Sequence, residues 1–455
     1  MAIKRLFVAN RGEIAVRIIR TAKKLGIETV IGVSQGDIGT LAAEMADRAV
    51  VIGPAASAKS YLDVNLVVHA AKATGCDALH PGYGFLSEKP ELCRLCEKEG
   101  LIFVGPRAES IETLGDKLAA RALAIESGVK TVPGTDHIAN VEDAKVAADK
   151  LGYPVVMKAS AGGGGRGMFK ANSAAELKAS FEKASREAET AFGDNRLYIE
   201  RFVERARHVE VQIVGDGEGN VVHFGERDCT VQRRYQKLIE EAPATAVPDD
   251  VRKRLHAAAI QLTSHAKYRN AGTVEFLYDV DRVDFYFIEV NSRIQVEHPV
   301  SEEISGEDLI AFQLRVAAGE GLGITQDQIK LSGHAIECRI NAEDPYNQFL
   351  PSPGRIKGWQ PPTGEGVRLD THARENYLVP PFYDSMIGKL IVWGKDRDQA
   401  IERMLKAIAE FRLDGLKTTL PLSAYIINTQ DFRDNHITTR WLEDKGLPAF
   451  ETTLE

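Results

Sequence analysis

The chain has 455 residues, 44% hydrophobic and 27% charged, with a formal net charge of −8. This is the composition of a globular protein long enough for about three domains of ~150 residues, and its acidic balance excludes a nucleic-acid-binding surface covering the whole molecule. No apolar run approaches the ~18–20 residues of a membrane span, no secretory signal opens the sequence, and an odd number of cysteines excludes a simple disulfide framework; a reducing cytoplasm is expected.

Residues 3–9 read as a strand, Asn10 to Glu13 as a turn, and Ile14, Ile18, Ala22 and Leu25 recur at helical spacing. Glu28 to Val33 is the next strand, and strand and helix alternate to about Leu114. Such alternation predicts a doubly wound parallel sheet with helices on its faces. His80 to Glu88, dense in Gly and Pro, reads equally as the shaped edge of a site or as a structural turn. Cys93 and Cys96 fall in a helical pattern with no second pair to complete a zinc site, so they read as half-buried helix cysteines. Asp116 and Lys117 open a helix after Gly115.

The segment from Met157 to Met168 holds five glycines in six positions: Gly162, Gly163, Gly164, Gly165 and Gly167. A backbone so free of side chains can aim its N–H groups at a ligand, and Lys158 and Arg166 bracket it with positive charge. As a string it matches the dinucleotide fingerprint, which requires a helix opening on its last glycine. Met168 to Ala171 reads instead as a strand, and Met168-Phe169 stands where a P-loop needs Lys-Ser/Thr. The reading is a strand–glycine loop–strand hairpin covering phosphates as a mobile lid; a surface hairpin without a ligand is the competing one. A long helix follows from Ala174 to about Phe192, then strands at Leu197 to Val203 and Arg207 to Val214.

Glu226 to Lys237 carries four cations within eleven residues, which reads as an anion site or a solvated basic face. From Gly272 to His298 the chemistry is densest. If the hairpin is symmetric about residue 282, Glu275 faces Glu289 across two strands, with Cβ atoms roughly 5 Å apart. Two like charges that close call for a cation, and few hard oxygen ligands point to Mg²⁺ or Mn²⁺. Glu289, Asn291, Arg293, Gln295 and Glu297 all occupy odd positions, so one face of an extended chain would carry an acid, an amide, a guanidinium, an amide and an acid. That row suits a metal at one end and a small anion at the other; a salt-bridge ladder is the structural alternative. From about Leu331 a third block begins, with Arg339 on the strand His334 to Asn341, Asp384 to Lys389 linking strands, and a closing amphipathic helix.

With these residues in place, the chain resembles the biotin carboxylases over almost its whole length. The resemblance rests on Ala9 to Ala15, His80 to Glu88, Lys158 with the glycine loop, Gln232 to Arg234, Glu289 to Pro299 and Tyr383 to Lys389. It implies a mixed α/β fold: an N-terminal Rossmann-like domain at 1–114, an ATP-grasp domain at 115–330 with a lid at about 131–203, and a C-terminal domain at 331–455. It implies a ligase that activates bicarbonate with ATP as carboxyphosphate and carboxylates biotin. Lys117, Lys158 and His208 are then nucleotide contacts, Glu200, Arg201 and Val203 the adenine hinge, and Gln232 a ribose contact. Glu275 and Glu289, with Asn291, are metal ligands. Lys237, Arg293, Gln295 and Val296 shape the bicarbonate pocket. Glu297 is the general base, and Arg339 stabilises the biotin enolate.

Two departures from the family pattern stand out. Tyr235 replaces the usual His near the nucleotide, and Val33 to Asp37 replaces the usual Tyr-Ser-x-x-Asp. No Met-Lys-Met occurs in the sequence. A biotin carboxyl carrier protein and a carboxyltransferase on separate chains are therefore expected, with a homodimer and no nucleic-acid or membrane partner. Acetyl-CoA carboxylase is the first expectation for the parent enzyme; another acyl-CoA, pyruvate or 2-oxo-acid carboxylase, or an ATP-grasp carboxylate–amine ligase, is the alternative.

Overall fold

The computed structural model describes residues 2–160 and 167–452. Strands β1 (Arg5–Val8), β2 (Glu28–Val33), β3 (Arg48–Val51), β4 (Ala78–His80) and β5 (Ile102–Phe103) pair in parallel. Among the described residues their order is β3-β2-β1-β4-β5. This is a doubly wound sheet that reverses between β1 and β4, where such folds open a crevice at the carboxyl ends of the strands. The helix Gly12–Lys24 follows β1 and buries Ile14, Ile18 and Ala22. It begins at Gly12, so the turn expected at Asn10 to Glu13 is shorter than read. Asn10 Nδ2 donates to the carbonyls of Pro81 and Tyr83 at 2.7 and 2.8 Å, tying the Gly- and Pro-rich loop to the end of β1. Cys93 and Cys96 are both buried on the helix Pro90–Lys98.

Strands β6 (Val155–Ala159), β7 (Met168–Ala171) and β8 (Leu197–Arg201) form a small antiparallel sheet. β6 and β7 are the two arms of the glycine hairpin, with Lys158 opposite Met168. Gly162, Gly163, Gly164 and Gly165 lie outside the described residues. The helix Ala174–Phe192 starts where Ser173 accepts a hydrogen bond from the Glu176 N–H and stops at Gly193, whose φ is 69°. A hydroxyl at the start and a left-handed glycine at the end are the signals that define it in sequence.

The largest sheet is antiparallel and collects β9 (Ala206–Asp216), β10 (Val221–Arg233), β11 (Gln236–Ala242), β12 (Arg269–Asp279), β13 (Asp284–Asn291), β14 (His334–Asn341), β15 (Val367–Thr371) and β16 (Met386–Gly394). Among the described residues its order is β13-β12-β9-β10-β11-β14-β16-β15. β14 pairs with β11, so the third block extends the sheet of the second. The segment Asp384 to Lys389 does not merely link strands, because β16 already begins at Met386.

β9 shows how sequence alternation builds the site. Val209, Val211 and Ile213 pack against Val251, Leu255, Ala259 and Leu262 of the helix Asp249–His265. Burying each such side chain contributes about 1.5–3 kcal/mol. His208, Glu210 and Gln212 then emerge on the other face. A one-residue slip would drive Glu210 into the apolar layer, so that layer fixes the register of the polar face.

The basic run folds as the end of β10, a turn and the start of β11. Arg227 is fully buried, and Arg233 stacks over the ring of Phe349 at 3.9 Å. The run is therefore neither one anion site nor one solvated face.

Candidate functional site

The register pairs Glu275 with Glu289, and a bulge after Glu275 leaves Ile288 unpaired. β13 ends at Asn291. The chain then turns through residues 292–297 into the helix His298–Ser305, so the extended run expected to reach Glu297 stops six residues short of it. Convergence replaces the straight row. Lys117, Lys158, Glu200, Arg201, Val203, His208, Gln232 and Tyr235 line one cavity of about 1150 Å³. Lys237, Glu275, Glu289, Asn291, Arg293, Gln295, Val296 and Arg339 line the same cavity. Its wall reaches Asn10 to Ile14 and Tyr83 to Phe85, at the switch point between β1 and β4. Gly167 is described but does not line it.

Lys237 is the centre of the charge network. Its Nζ donates to Glu210 at 2.6 Å, Glu275 at 3.0 Å and Glu297 at 2.6 Å. Burial lowers the Lys237 pKa, but the three carboxylates outweigh it and hold the ammonium protonated well above its usual range. Arg339 donates through Nε to Glu240 at 2.6 Å and through Nη2 to Glu297 at 3.0 Å. Glu297 has 0% exposure and does not line the cavity. It lies beneath the floor made by Lys237 and Arg339. Burial would raise its carboxyl; Lys237, Arg339 and Arg227 overcome that and keep it well below the usual carboxylate range.

Glu275 and Glu289 turn toward different cations. Glu275 accepts from Lys237 and lies 3.0 Å from His208 Nε2. Glu289 meets Lys117 at 2.9 Å. Asn291 Nδ2 donates to Glu275 at 2.9 Å, and Arg293 Nη2 donates to Asn291 at 3.1 Å. Two hard carboxylates with an amide oxygen fit a small oxygen-seeking divalent ion. Further out, Glu200 is held by Lys158 at 2.5 Å and Arg121 at 3.2 Å. Tyr235 sits in the hairpin turn with φ 65° and 55% exposure.

Several members of the network have no role assigned to them from sequence. Glu210 is fully buried between Lys237 and Arg227, at 2.6 Å from each. Lys389 is fully buried and donates to the Val296 carbonyl at 2.7 Å, with Glu13 at 3.2 Å. Glu88 holds Arg293 at 2.9 Å. The polar alternation of β9 is the sequence signal for Glu210.

Comparison with known proteins agrees with this arrangement along the chain. Residues 2–111 match the family model "Biotin carboxylase, N-terminal domain", and residues 337–444 match "Biotin carboxylase C-terminal domain". Residues 116–325 match "Carbamoyl-phosphate synthase L chain, ATP binding domain". Biotin carboxylase 1 of Bacillus subtilis is 49% identical over 97% of this chain and 98% of its own. A pyruvate carboxylase subunit from Methanothermobacter thermautotrophicus is 47% identical over 98% of this chain and 91% of its own. The biotin carboxylase domain dimer of Hydrogenobacter thermophilus 2-oxoglutarate carboxylase, solved with MgADP, ADP and bicarbonate, superposes with a TM-score of 0.94 at 44% identity and 99% coverage of both chains. No described helix is long and apolar enough to cross a membrane. The chain is an enzyme of the biotin carboxylase family.

Proposed function

We propose that this enzyme uses ATP and bicarbonate to carboxylate biotin borne on a separate carrier protein, through carboxyphosphate. The observation that carries the reading is Glu297, fully buried and gripped by Lys237 and Arg339 at the base of a cavity that also holds Lys117 and the Glu275–Glu289 pair.

In this reading Lys117, Lys158 and His208 take the phosphates, displacing the carboxylates that now hold them. Residues Glu200, Arg201 and Val203 border the base, and Gln232 and Tyr235 the ribose side. Glu275 and Glu289, with Asn291, would hold Mg²⁺ or Mn²⁺, which when bound neutralises phosphate charge. Arg293 grips bicarbonate with Gln295, the Val296 backbone and Lys237. An arriving anion competes with Glu297 for Lys237. As that cation turns to the anion, Glu297 loses the largest of the charges that keep its pKa low and becomes a stronger base. It then takes the bicarbonate proton while a bicarbonate oxygen attacks the γ-phosphorus and ADP leaves. Carboxyphosphate breaks down to CO₂ and phosphate, the phosphate takes the N1′ proton of biotin, and N1′ forms its bond to CO₂ while Arg339 faces the oxygen on which the biotin enolate charge develops.

For the parent enzyme we propose acetyl-CoA carboxylase, acting in fatty acid biosynthesis in the cytoplasm, with the carrier and carboxyltransferase on separate chains and a homodimeric carboxylase. A pyruvate or 2-oxo-acid carboxylase is the second reading, favoured by the names of two of the relatives above. ADP release with and without bicarbonate tests the activity. Turnover that requires bicarbonate supports it; turnover that needs an amine acceptor instead points to a carboxylate–amine ligase. Transfer from carboxylated carrier to acetyl-CoA or pyruvate distinguishes the parents.

A further inference from the structure

Behind Arg339 the sheet buries two carboxyl groups that this chemistry leaves unused. Glu240 on β11 and Glu337 on β14 stand directly opposite in the antiparallel ladder. That places their Cβ atoms about 5 Å apart on one face. Both have 0% exposure. Glu240 Oε1 accepts from Arg339, yet among the described residues no donor reaches Glu240 Oε2 or either oxygen of Glu337.

Among the described residues, the surrounding charges leave no cation paired with Glu337. Lys389, from β16, is committed to Glu13 and the Val296 carbonyl. Lys237 is committed to Glu210, Glu275 and Glu297. Arg339 serves Glu240 and Glu297. Tyr83 donates to Glu13. The helix packed on these strands brings Glu297 at its cap and His298 in its first turn, and His298 is kept neutral mainly by burial. Two adjacent buried carboxylates sharing one guanidinium cannot both stay ionised at tolerable cost. One proton between them supplies the missing donor and leaves a single negative charge.

We propose that Glu337 is a neutral carboxylic acid that donates a hydrogen bond to Glu240 Oε2, and that this acid pair positions Arg339. The proton belongs on Glu337 because Glu240 already faces the guanidinium. Burial drives Glu337 well above the usual carboxylate range, with Lys389 opposing and Glu240 reinforcing the rise. Burial also pushes Glu240 up to about 7, against the pull of Arg339. When the shared proton leaves at alkaline pH, two negative charges face one guanidinium, and Arg339 is drawn from Glu297 toward them. The inference rests on the reading of Arg339 as the group that faces biotin.

A carboxyl with a raised folded-state pKa costs stability above its unfolded value, and that cost grows as pH rises toward the raised value. Glu337→Gln donates without a proton to lose. It should therefore flatten this decline and restore the coupling of ATP cleavage to biotin carboxylation at alkaline pH, where the wild-type protein uncouples. Glu337→Leu, with no donor, should lose about tenfold in carboxybiotin formed per ATP cleaved. The deciding experiment is infrared difference spectroscopy of the full chain, wild type against Glu337→Gln, at neutral pH. The expected result is a deuterium-sensitive carbonyl stretch of an un-ionised carboxylic acid that the substitution removes. Absence of that band, its survival in Glu337→Gln, or an alkaline limb identical in both proteins overturns the acid pair. The band is read without turnover, so it separates failure of this inference from failure of the proposed activity, which would appear as ATP cleavage independent of bicarbonate.

Discussion

Substituting Arg339 by Gln should split two activities that share one cavity. The guanidinium donates to Glu240 at 2.6 Å and to Glu297 at 3.0 Å, and both carboxylates are fully buried. Removing one partner of such a network costs about 3–5 kcal/mol, because the charges left behind stay in a poorly solvated place. The glutamine amide recovers part of that through one hydrogen bond, so a folded but less stable protein is expected. In catalysis the lost feature is a fixed cation facing developing negative charge, an effect of roughly 10²–10³-fold, or about 3–4 kcal/mol. That loss falls on biotin carboxylation. Bicarbonate-dependent ATP cleavage should fall much less, since Lys237 and Arg293 remain and carboxyphosphate can decay in water. Phosphate and carboxybiotin are measured side by side in one reaction mixture. Equal losses in both would place Arg339 on the bicarbonate step and refute the division of roles.

Glu297→Gln should abolish phosphate release and carboxybiotin together, because both need the bicarbonate proton removed; retained bicarbonate-dependent ATP cleavage would count against the base. Glu289→Gln removes one of two hard ligands and should raise the Mg²⁺ concentration needed for half-maximal turnover, which a metal titration reads; an unchanged titration would take Glu289 out of the metal site. Tyr235→His restores a group that titrates near neutrality in the cavity wall, and should change the KM for ATP or the pH profile more than kcat at saturation. Glu241 is held by Arg397 at 2.7 Å and His334 at 2.9 Å, and although burial raises its pKa these partners bring it down to about 2. A depressed carboxyl contributes stability above its unfolded pKa and loses it as pH falls toward the folded value; here the contribution is about 3 kcal/mol. Urea midpoints followed downward from about pH 7 should therefore show a smaller acid-side loss in Glu241→Gln than in wild type, and parallel curves would refute the assignment.

Local signals make much of the fold legible. Ser173 and Gly193 bound one helix, and Glu275 and Glu289 meet because their hairpin is nearly symmetric. The bend after Asn291 is also written in the chain: Pro299 within the first helical turn after Glu297 is a helix-start signal, and it overrides the period-two pattern of the odd-numbered residues. Glu210 reads in sequence as the polar side of a half-exposed strand. It is buried because Arg227 of β10 and Lys237 of β11 reach across to its carboxylate, and Arg227 in turn donates to Ser301 of the helix His298–Ser305. Glu240 and Glu337 are illegible for a deeper reason. Their adjacency depends on β11 pairing with β14, a non-local choice with no sequence motif of its own.

If Glu297, Lys237 and Arg339 serve carboxyl transfer from bicarbonate to biotin, labelled bicarbonate given to the full chain with ATP, Mg²⁺ and free biotin should place label in biotin, in step with ADP and only with ATP present. Both Glu297→Gln and Arg339→Gln should lose that label. ATP cleavage that proceeds without bicarbonate, or that never delivers label to biotin, would contradict that role.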